Sequence, residues 1–444
     1  VRIEPRVLKG FRDYLPEQTI ERQRMIHLLE RVFTSFGFVP IDTPAIEYAE
    51  ILLGKGSDET DKQLYRFLDN GERDVALRFD LTVPLARYVA THIEQLGTPF
   101  KRFHIAPVWR AEKPQRGRYR EFIQCDFDTI GTTSVYADAE IVAVINSALN
   151  ALDVKHQIRI NNRLLLNGFL ESLGSEAKPA SVLRTIDKLE KQGRDSVERE
   201  LAEESQLKTQ EIQDLFEFLA LSSESTTTDL LGKLEQFVSK RDNETARKGF
   251  AQLASLVSSL DAFGVPNEAF RIDLSIARGL DYYTGTVFET QCLELPAIGS
   301  ICSGGRYDNL ASLYTSRNLP GVGASVGLDR VIASMEELGR LSKKQTMTEV
   351  LVTVFDESSQ LKSIQLADQL RRTGLVVEVY PEATKIANQL KYANKKGIDL
   401  VLFVGEREIA ANAYGIKSML SGEQVEAVRA EDLASTIRKL VKNV

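Results

Sequence analysis

The chain has 444 residues, 43% of them hydrophobic and 27% charged, a globular composition too long for one ordinary core, so two or three domains are expected. No apolar run approaches the roughly 18 residues of a membrane helix, the start Val1–Arg6 has no apolar signal core, and Cys125, Cys292 and Cys302 form no C-x-x-C pair; the expectation is a cytoplasmic protein without a disulfide framework or zinc site. A net charge of −7 does not advertise a nucleic-acid partner, although a local basic stripe on an acidic body still binds phosphates.

In chain order, residues 18–36 predict an amphipathic helix, with Ile20, Ile26, Leu28, Leu29, Val32, Phe33 and Phe36 set among charges. It stops at Gly37, and Phe38–Pro44 follows as an extended, proline-punctuated strand. Residues 75–81 are strand-like, and Asp80 or Thr82 would cap a helix opening near Pro84. Segments 100–112 and 119–131 predict two long strands joined by a polar, glycine-containing loop, with Pro107 marking a bulge or an edge in the first. Between 171 and 255, charged helical stretches such as Glu198–Glu204 predict a helical insertion into a β-rich domain, with Ser222–Thr228 as a loop. Strand patterns return at 269–293 and 321–327. After a polar linker near Ser342–Gln345, apolar runs at Val350–Phe355, Leu375–Tyr380 and Leu400–Val404 alternate with helical Ser359–Arg372, Thr384–Lys396 and Glu431–Lys442. That alternation predicts a compact α/β domain with a buried sheet.

Some of these segments carry chemistry. Gln124, Asp126 and Asp128 alternate with Ile123, Cys125 and Phe127, so the three polar side chains share one face, which suits a ligand floor better than a core. The loop before them carries Lys113, Arg116 and Arg118, a cationic tip suited to phosphate; a solvated hairpin is the plainer alternative. By itself, Ser303–Leu310 predicts a tight turn before a helix, and Gly321–Arg330 a glycine-rich strand leading into one.

Two segments point to a family. Arg278-Gly279-Leu280-Asp281-Tyr282-Tyr283-Thr284-Gly285-Thr286-Val287-Phe288-Glu289 resembles the histidine-specific signature of the histidyl-tRNA synthetases. Val108-Trp109-Arg110-Ala111-Glu112, continuing through Gln115-Arg116-Gly117-Arg118 to Phe122, resembles their motif 2. Ser303–Leu310 is similar to the second histidyl signature, Gly321–Arg330 to motif 3, and the helix and strand before Pro44 to motif 1, where the family builds a dimer interface. The resemblance runs from Leu8-Lys9-Gly10-Phe11-Arg12-Asp13 to the C-terminal domain, which is similar in pattern to the anticodon-binding domain of several class II synthetases. The loop Ala111–Gln115 follows the family's shorter Pro-Gln form, whereas Gln124–Asp128 follows the other branch.

The resemblance implies an α+β class II synthetase catalytic domain, an antiparallel sheet with helices, in two parts (1–170 and 256–340) around a helical insertion (171–255). A C-terminal α/β anticodon-binding domain (346–444) follows. It further implies a homodimer that activates L-histidine with ATP and Mg²⁺ to histidyl-adenylate and passes histidine to tRNA(His). Arg110 and Arg278 would flank the ATP α-phosphate and the histidine carboxylate, stabilising charge on phosphorus. No general base is needed, because the attacking carboxylate is already ionised. Asp80, Leu81 and Thr82 would hold the α-ammonium, although alone they read as an ordinary helix cap. Tyr283 and Asp128 would contact the imidazole, with Gln124 and Tyr282 nearby, a polar readout that discriminates without editing. Glu112, Arg118 and Arg330 would bind ATP, and Gln115 and Arg116 would approach the acceptor end of tRNA. The alternative is a non-catalytic, histidine-binding regulatory subunit of ATP phosphoribosyltransferase. That relative typically lacks the anticodon domain and a full catalytic set, whereas Arg110, Arg278 and Arg330 are all present here.

Overall fold

The computed structural model describes residues 2–53, 62–174, 179–222, 226–276, 282–342 and 344–442. Up to residue 340 the strands, in chain order, are β1 (Val39–Pro40), β2 (Ile46–Tyr48), β3 (Arg66–Leu68), β4 (Asp74–Leu77), β5 (Phe100–Trp109), β6 (Glu121–Ile130), β7 (His156–Asn162), β8 (Phe270–Ile272), β9 (Thr286–Cys292), β10 (Ser300–Tyr307) and β11 (Gly321–Gly327). Eight of them form one sheet in the order β1-β5-β6-β11-β10-β9-β7-β8, and the other three a small sheet, β2-β4-β3. The large sheet is antiparallel except at its ends, where β1 joins β5 and β7 joins β8 in parallel.

The predicted hairpin is its centre. β5 and β6 pair in unbroken register from Phe100 opposite Ile130 to Trp109 opposite Glu121. Pro107 therefore makes no bulge. It is tolerated because β1 meets β5 only at Arg102 and Phe103, leaving Pro107 a strand partner on one side only. The odd-numbered face is dry: Phe33 and Phe38 pack their rings on Phe103 and Phe127 at centroid distances of 4.8–6.0 Å.

The even-numbered face is polar, and cross-strand neighbours carry that polarity through the sheet, because directly opposed residues share a face. One row runs His104, Asp126, Ser325, Ser303, Glu289, Arg159, Arg271. The next contains Arg102, Asp128, Gly323 and Gly305. Here the sequence reading needs correction. Ser303-Gly304-Gly305 is not a turn before a helix but the middle of β10, because glycines were read for their turn propensity and not for the flat floor they leave.

Between β7 and β8 the described chain is helical, from Arg163–Ser172 to Glu244–Leu260. Asn162 and Asn243 cap those two helices by accepting from Leu164 N (3.0 Å) and Ala246 N (2.8 Å). The two helices touch backbone to backbone: a Cβ on Gly168 would lie 2.3 Å from Ala246 N, and one on Gly249 would lie 2.6 Å from Leu165 N. Only glycine fits either position.

The chain divides into two compact units, Val1–Arg12 with Met25–Arg340 and Asp13–Arg24 with Leu341–Val444. In the second, β12 (Val350–Val352), β13 (Val377–Val379) and β14 (Leu400–Phe403) are parallel, and β15 (Ala413–Ser418) and β16 (Gln424–Arg429) add an antiparallel hairpin, in the order β13-β12-β14-β15-β16. The sequence reading predicted the alternation of strands and helices but not that hairpin. Val350, Val352 and Leu402 pack on one face, and Leu351 and Val401 on the other, so the strands read as continuous apolar runs. The three cysteines are buried and form no disulfide. Among the described residues no helix is long and apolar enough to cross a membrane.

Candidate active site

Two adjoining cavities open on the polar face of the large sheet. The inner one, about 230 Å³, is lined by Asp80, Thr82, Gln124, Asp126, Asp128, Tyr282, Tyr283 and Tyr307, among others. The outer one, about 260 Å³, is lined by Glu112, Arg118, Tyr119, Phe122 and Asp329. Arg110, Gln124, Ser303, Ser325 and Arg330 line both, so the space is continuous.

Carboxyl groups dominate the inner cavity. Asp128 is anchored: Tyr307 Oη donates to its Oδ1 at 2.5 Å, and the fully buried Arg102 places Nη2 2.6 Å from its Oδ2. Burial nonetheless pushes the Asp128 carboxyl above its ordinary range, against the pull of Arg102. Asp80 accepts Val83 N–H at 3.1 Å through Oδ1, while its Oδ2 has no hydrogen-bond partner; burial raises it to about 6. Asp126 is raised to about 7, chiefly by burial and then by Asp128 and Asp80, with Arg102 opposing. Burial and the three carboxyls push the Tyr283 hydroxyl upward, so it stays protonated and able to donate. Gly323 makes room for this cluster, since a Cβ there would lie 2.0 Å from Asp128 Oδ1.

The outer cavity is cationic. Arg110 is aimed by its Nε, which donates to Phe79 O at 2.9 Å, and by the Phe122 ring 5.3 Å beneath its guanidinium. Glu112 stands 3.9 Å away. Arg330, at the first turn of the helix Leu328–Glu337, hydrogen-bonds Ser300 O. Its neighbour Asp329 accepts from Ile123 N (3.0 Å) and Arg12 Nη2 (3.4 Å), tying that helix to β6. Arg118 reaches the cavity because Gln115 and Arg118 exchange backbone hydrogen bonds of 3.0 and 2.9 Å around Gly117.

Of the residues proposed from sequence, Asp80, Thr82, Arg110, Glu112, Arg118, Gln124, Asp128, Tyr282, Tyr283 and Arg330 thus converge on one space. Leu81 does not line it. Its side chain packs with Ala106 and Val108, and its carbonyl accepts from Arg102 at 3.3 Å. Gln115 and Arg116 lie outside both cavities, and Arg116 pairs with Glu337 at 2.7 Å. Arg278 lies outside the described residues. Sequence reasoning missed Arg102, Tyr307 and Ser325 as site residues, and read Asp126 as part of the ligand floor without a role of its own. Asp126, Tyr307 and Ser325 stood inside quoted segments, whereas Arg102 enters only through strand register.

Comparisons with known proteins agree with this geometry. A family model described as histidyl-tRNA synthetase matches residues 10–331, and one described as anticodon binding domain matches 349–440. The chain is similar to the histidine–tRNA ligase of Rhodopirellula baltica, 52% identical over 95% of each chain, and to that of Wolinella succinogenes, 45% identical over 98% of each. The crystal structure of histidyl-tRNA synthetase from Nostoc sp. PCC 7120 superposes with a TM-score of 0.90 at 35% identity, covering 99% of this chain and 100% of that one. These matches put the chain among the aminoacyl-tRNA synthetases. It belongs to the histidyl-tRNA synthetase family.

Proposed function

We propose that this chain is a histidine–tRNA ligase, joining L-histidine to ATP as histidyl-adenylate with release of pyrophosphate and then transferring histidine to tRNA(His). The observation that carries the reading is the continuity of a cationic outer cavity with a carboxyl- and phenol-lined inner one. Phosphates and the reacting carboxylate meet guanidinium groups, and an amine and a polar ring meet acceptors.

In this reading the histidine carboxylate attacks the α-phosphorus and pyrophosphate leaves. Arg110 and Arg278 hold the charge that develops on the phosphoryl oxygens. Glu112, Arg118 and Arg330 bind ATP. The α-ammonium takes Asp80 and Thr82, with Leu81 fixing the turn that presents them, and its positive charge offsets the burial that raises Asp80. Asp128 and Tyr283 meet the imidazole beside Gln124 and Tyr282. An apolar competitor leaves these buried groups unpaired, so selection needs no editing step.

Mg²⁺ belongs to this proposal as part of the substrate. Among the described residues no three His, Cys, Asp or Glu side chains are grouped to hold a metal, which suits an ion held mainly by nucleotide phosphates and water. Glu112 is the carboxylate in the outer cavity nearest Arg110.

The proposal extends to a cytoplasmic homodimer, supported by exposed apolar side chains at Val39, Ile46, Tyr48, Phe67 and Leu68. It includes acceptor-end contacts at Gln115 and Arg116, and division of the chain at 1–170, 171–255, 256–340 and 346–444. A histidine-binding regulatory subunit is the weaker reading. A Bacillus halodurans structure titled as ATP phosphoribosyltransferase regulatory subunit/histidyl-tRNA synthetase is 25% identical, against 52% and 45% for the Rhodopirellula and Wolinella ligases. ATP–pyrophosphate exchange with each of the twenty amino acids tests the choice. Exchange with histidine alone is expected; histidine binding without exchange would favour the regulatory reading.

A further inference from the structure

Asp126 takes no part in the chemistry just described, yet it is the middle residue of the polar floor. It is 2% exposed and lines the inner cavity. Its carboxyl bonds to the Ser325 hydroxyl, and Gln124 Nε2 donates to that hydroxyl oxygen at 3.3 Å, which directs the Ser325 proton toward Asp126. Oδ1 of Asp126 has no hydrogen-bond partner. A bare buried carboxyl oxygen is costly, and such a cost persists where a ligand relieves it.

The surrounding charges say what kind of ligand. On β5, Asp126 faces Arg102 and His104; on β6, Gln124 and Asp128; on β11 and β10, Ser325 and Ser303; on β9, Glu289. Asp80 and Tyr283 face it from across the cavity. Arg102 is committed to Asp128 at 2.6 Å, and Glu289 has Arg159 at 3.7 Å. His104 is no cation, since burial and then Arg102 and Arg78 lower it to about 3. Arg110 and Arg330 also line this cavity, where it joins the outer one, and the Arg78 charge acts on Asp126; on the floor itself Asp126 and Asp128 stand against Arg102.

Resting on the reading of this cavity as the histidine pocket, we propose that Asp126 is a specificity-determining residue that accepts a hydrogen bond from one imidazole nitrogen while Asp128 and Tyr283 attend the other. The pocket then selects a ring able to donate from both nitrogens, the imidazolium form. The ring's second proton comes from Asp126 where burial has kept that carboxyl protonated, and from solvent where it is ionised.

The test is ATP–pyrophosphate exchange by the unchanged chain, Asp126→Asn and Ser325→Ala, with histidine and with 1,2,4-triazol-3-ylalanine, whose ring is nearly isosteric but too weak a base to protonate near neutrality. Asp126→Asn should raise KM for histidine by about 10–100-fold while kcat moves far less, and should erase the preference for histidine over the analogue. Ser325→Ala, which keeps the carboxyl but removes its hydroxyl partner, should raise KM about 3–10-fold. An Asp126→Asn enzyme with unaltered KM and analogue preference would overturn the assignment; if that variant does not fold, an unaltered KM in Ser325→Ala would do so. Absence of histidine-dependent exchange in the unchanged chain would instead overturn the reading of the pocket itself, and the inference with it.

Discussion

Gln389, on the helix Ile386–Lys396 of the C-terminal unit, and Gln124, on β6 of the large sheet, are the same side chain with different tasks. In the C-terminal unit, Gln389 is fully buried and its amide is fully engaged: Oε1 accepts Val354 N–H at 3.0 Å, and Nε2 donates to Val354 O at 2.7 Å and Thr384 O at 2.9 Å. On β6 of the large sheet, Gln124 Oε1 has no partner, and neither do Asp80 Oδ2 and Asp126 Oδ1. The C-terminal sheet is clad in aliphatic side chains on both faces; the large sheet keeps one face aromatic and gives the other to charge. Binding competence is built from groups that the free protein leaves unsatisfied, and their cost must be carried by the packing around them.

The sharpest way to break this contrast is at the cationic rim. Arg110→Ala should lower the rate of histidine-dependent pyrophosphate exchange about 10²–10³-fold or more without moving the unfolding midpoint, and Arg278→Ala should nearly abolish exchange while leaving histidine binding largely intact. Leu402→Ala, on the dry sheet, should do the reverse. It should cost about 2–5 kcal/mol of stability, read by urea unfolding, and spare exchange measured without tRNA. Gly323→Ala should force the Asp128 carboxyl aside and raise KM for histidine about tenfold or more; an unchanged KM would show that Asp128 does not need its present position.

The smallest effect is on stability against pH. Asp80 and Asp126, at about 6 and about 7, both lie above their ordinary 3.8. The folded state thus holds these protons more tightly than the unfolded chain. Their burial cost is absent below about pH 4, grows through the interval, and is complete above about pH 7, so stability from these groups falls as pH rises. Asp126→Asn should flatten that slope and raise the melting temperature of the ligand-free protein at pH 8, while reducing the added stabilisation that histidine gives.

Much of this was legible in the sequence, for identifiable reasons. β6 could be read because alternation assigns Gln124, Asp126 and Asp128 to one face without knowledge of any neighbour. Residues 321–327 fall where the glycine-rich pattern predicted a strand, and Asp80 does accept from the first turn of the helix Thr82–Leu96. Arg102 was invisible because its meaning is its partner, and Asp128 becomes that partner only once the hairpin register is set. Gly304 and Gly305 were misread because a glycine pair signals a turn locally, and only cross-strand neighbours reveal a floor. β15 and β16 escaped because Ala413–Ser418 and Gln424–Arg429 have weak period-two patterns; pairing with β14 and with each other makes them strands.

The contact of Gly168 with Gly249's helix makes the helical excursion a graft with a tight root. The outgoing and returning helices meet there, Asn243 Nδ2 donates to Glu171 at 3.1 Å, and Arg241 Nη1 donates to Ser172 Oγ at 3.2 Å. A substitute for the stretch between 173 and 242 must therefore shelter Phe169, whose ring now stacks on Phe218 at 4.7 Å, and replace Ser222 Oγ, which accepts Leu274 N–H at 3.2 Å beside β8. The fold carries a socket there, open to new accessories while the sheet beneath keeps its chemistry.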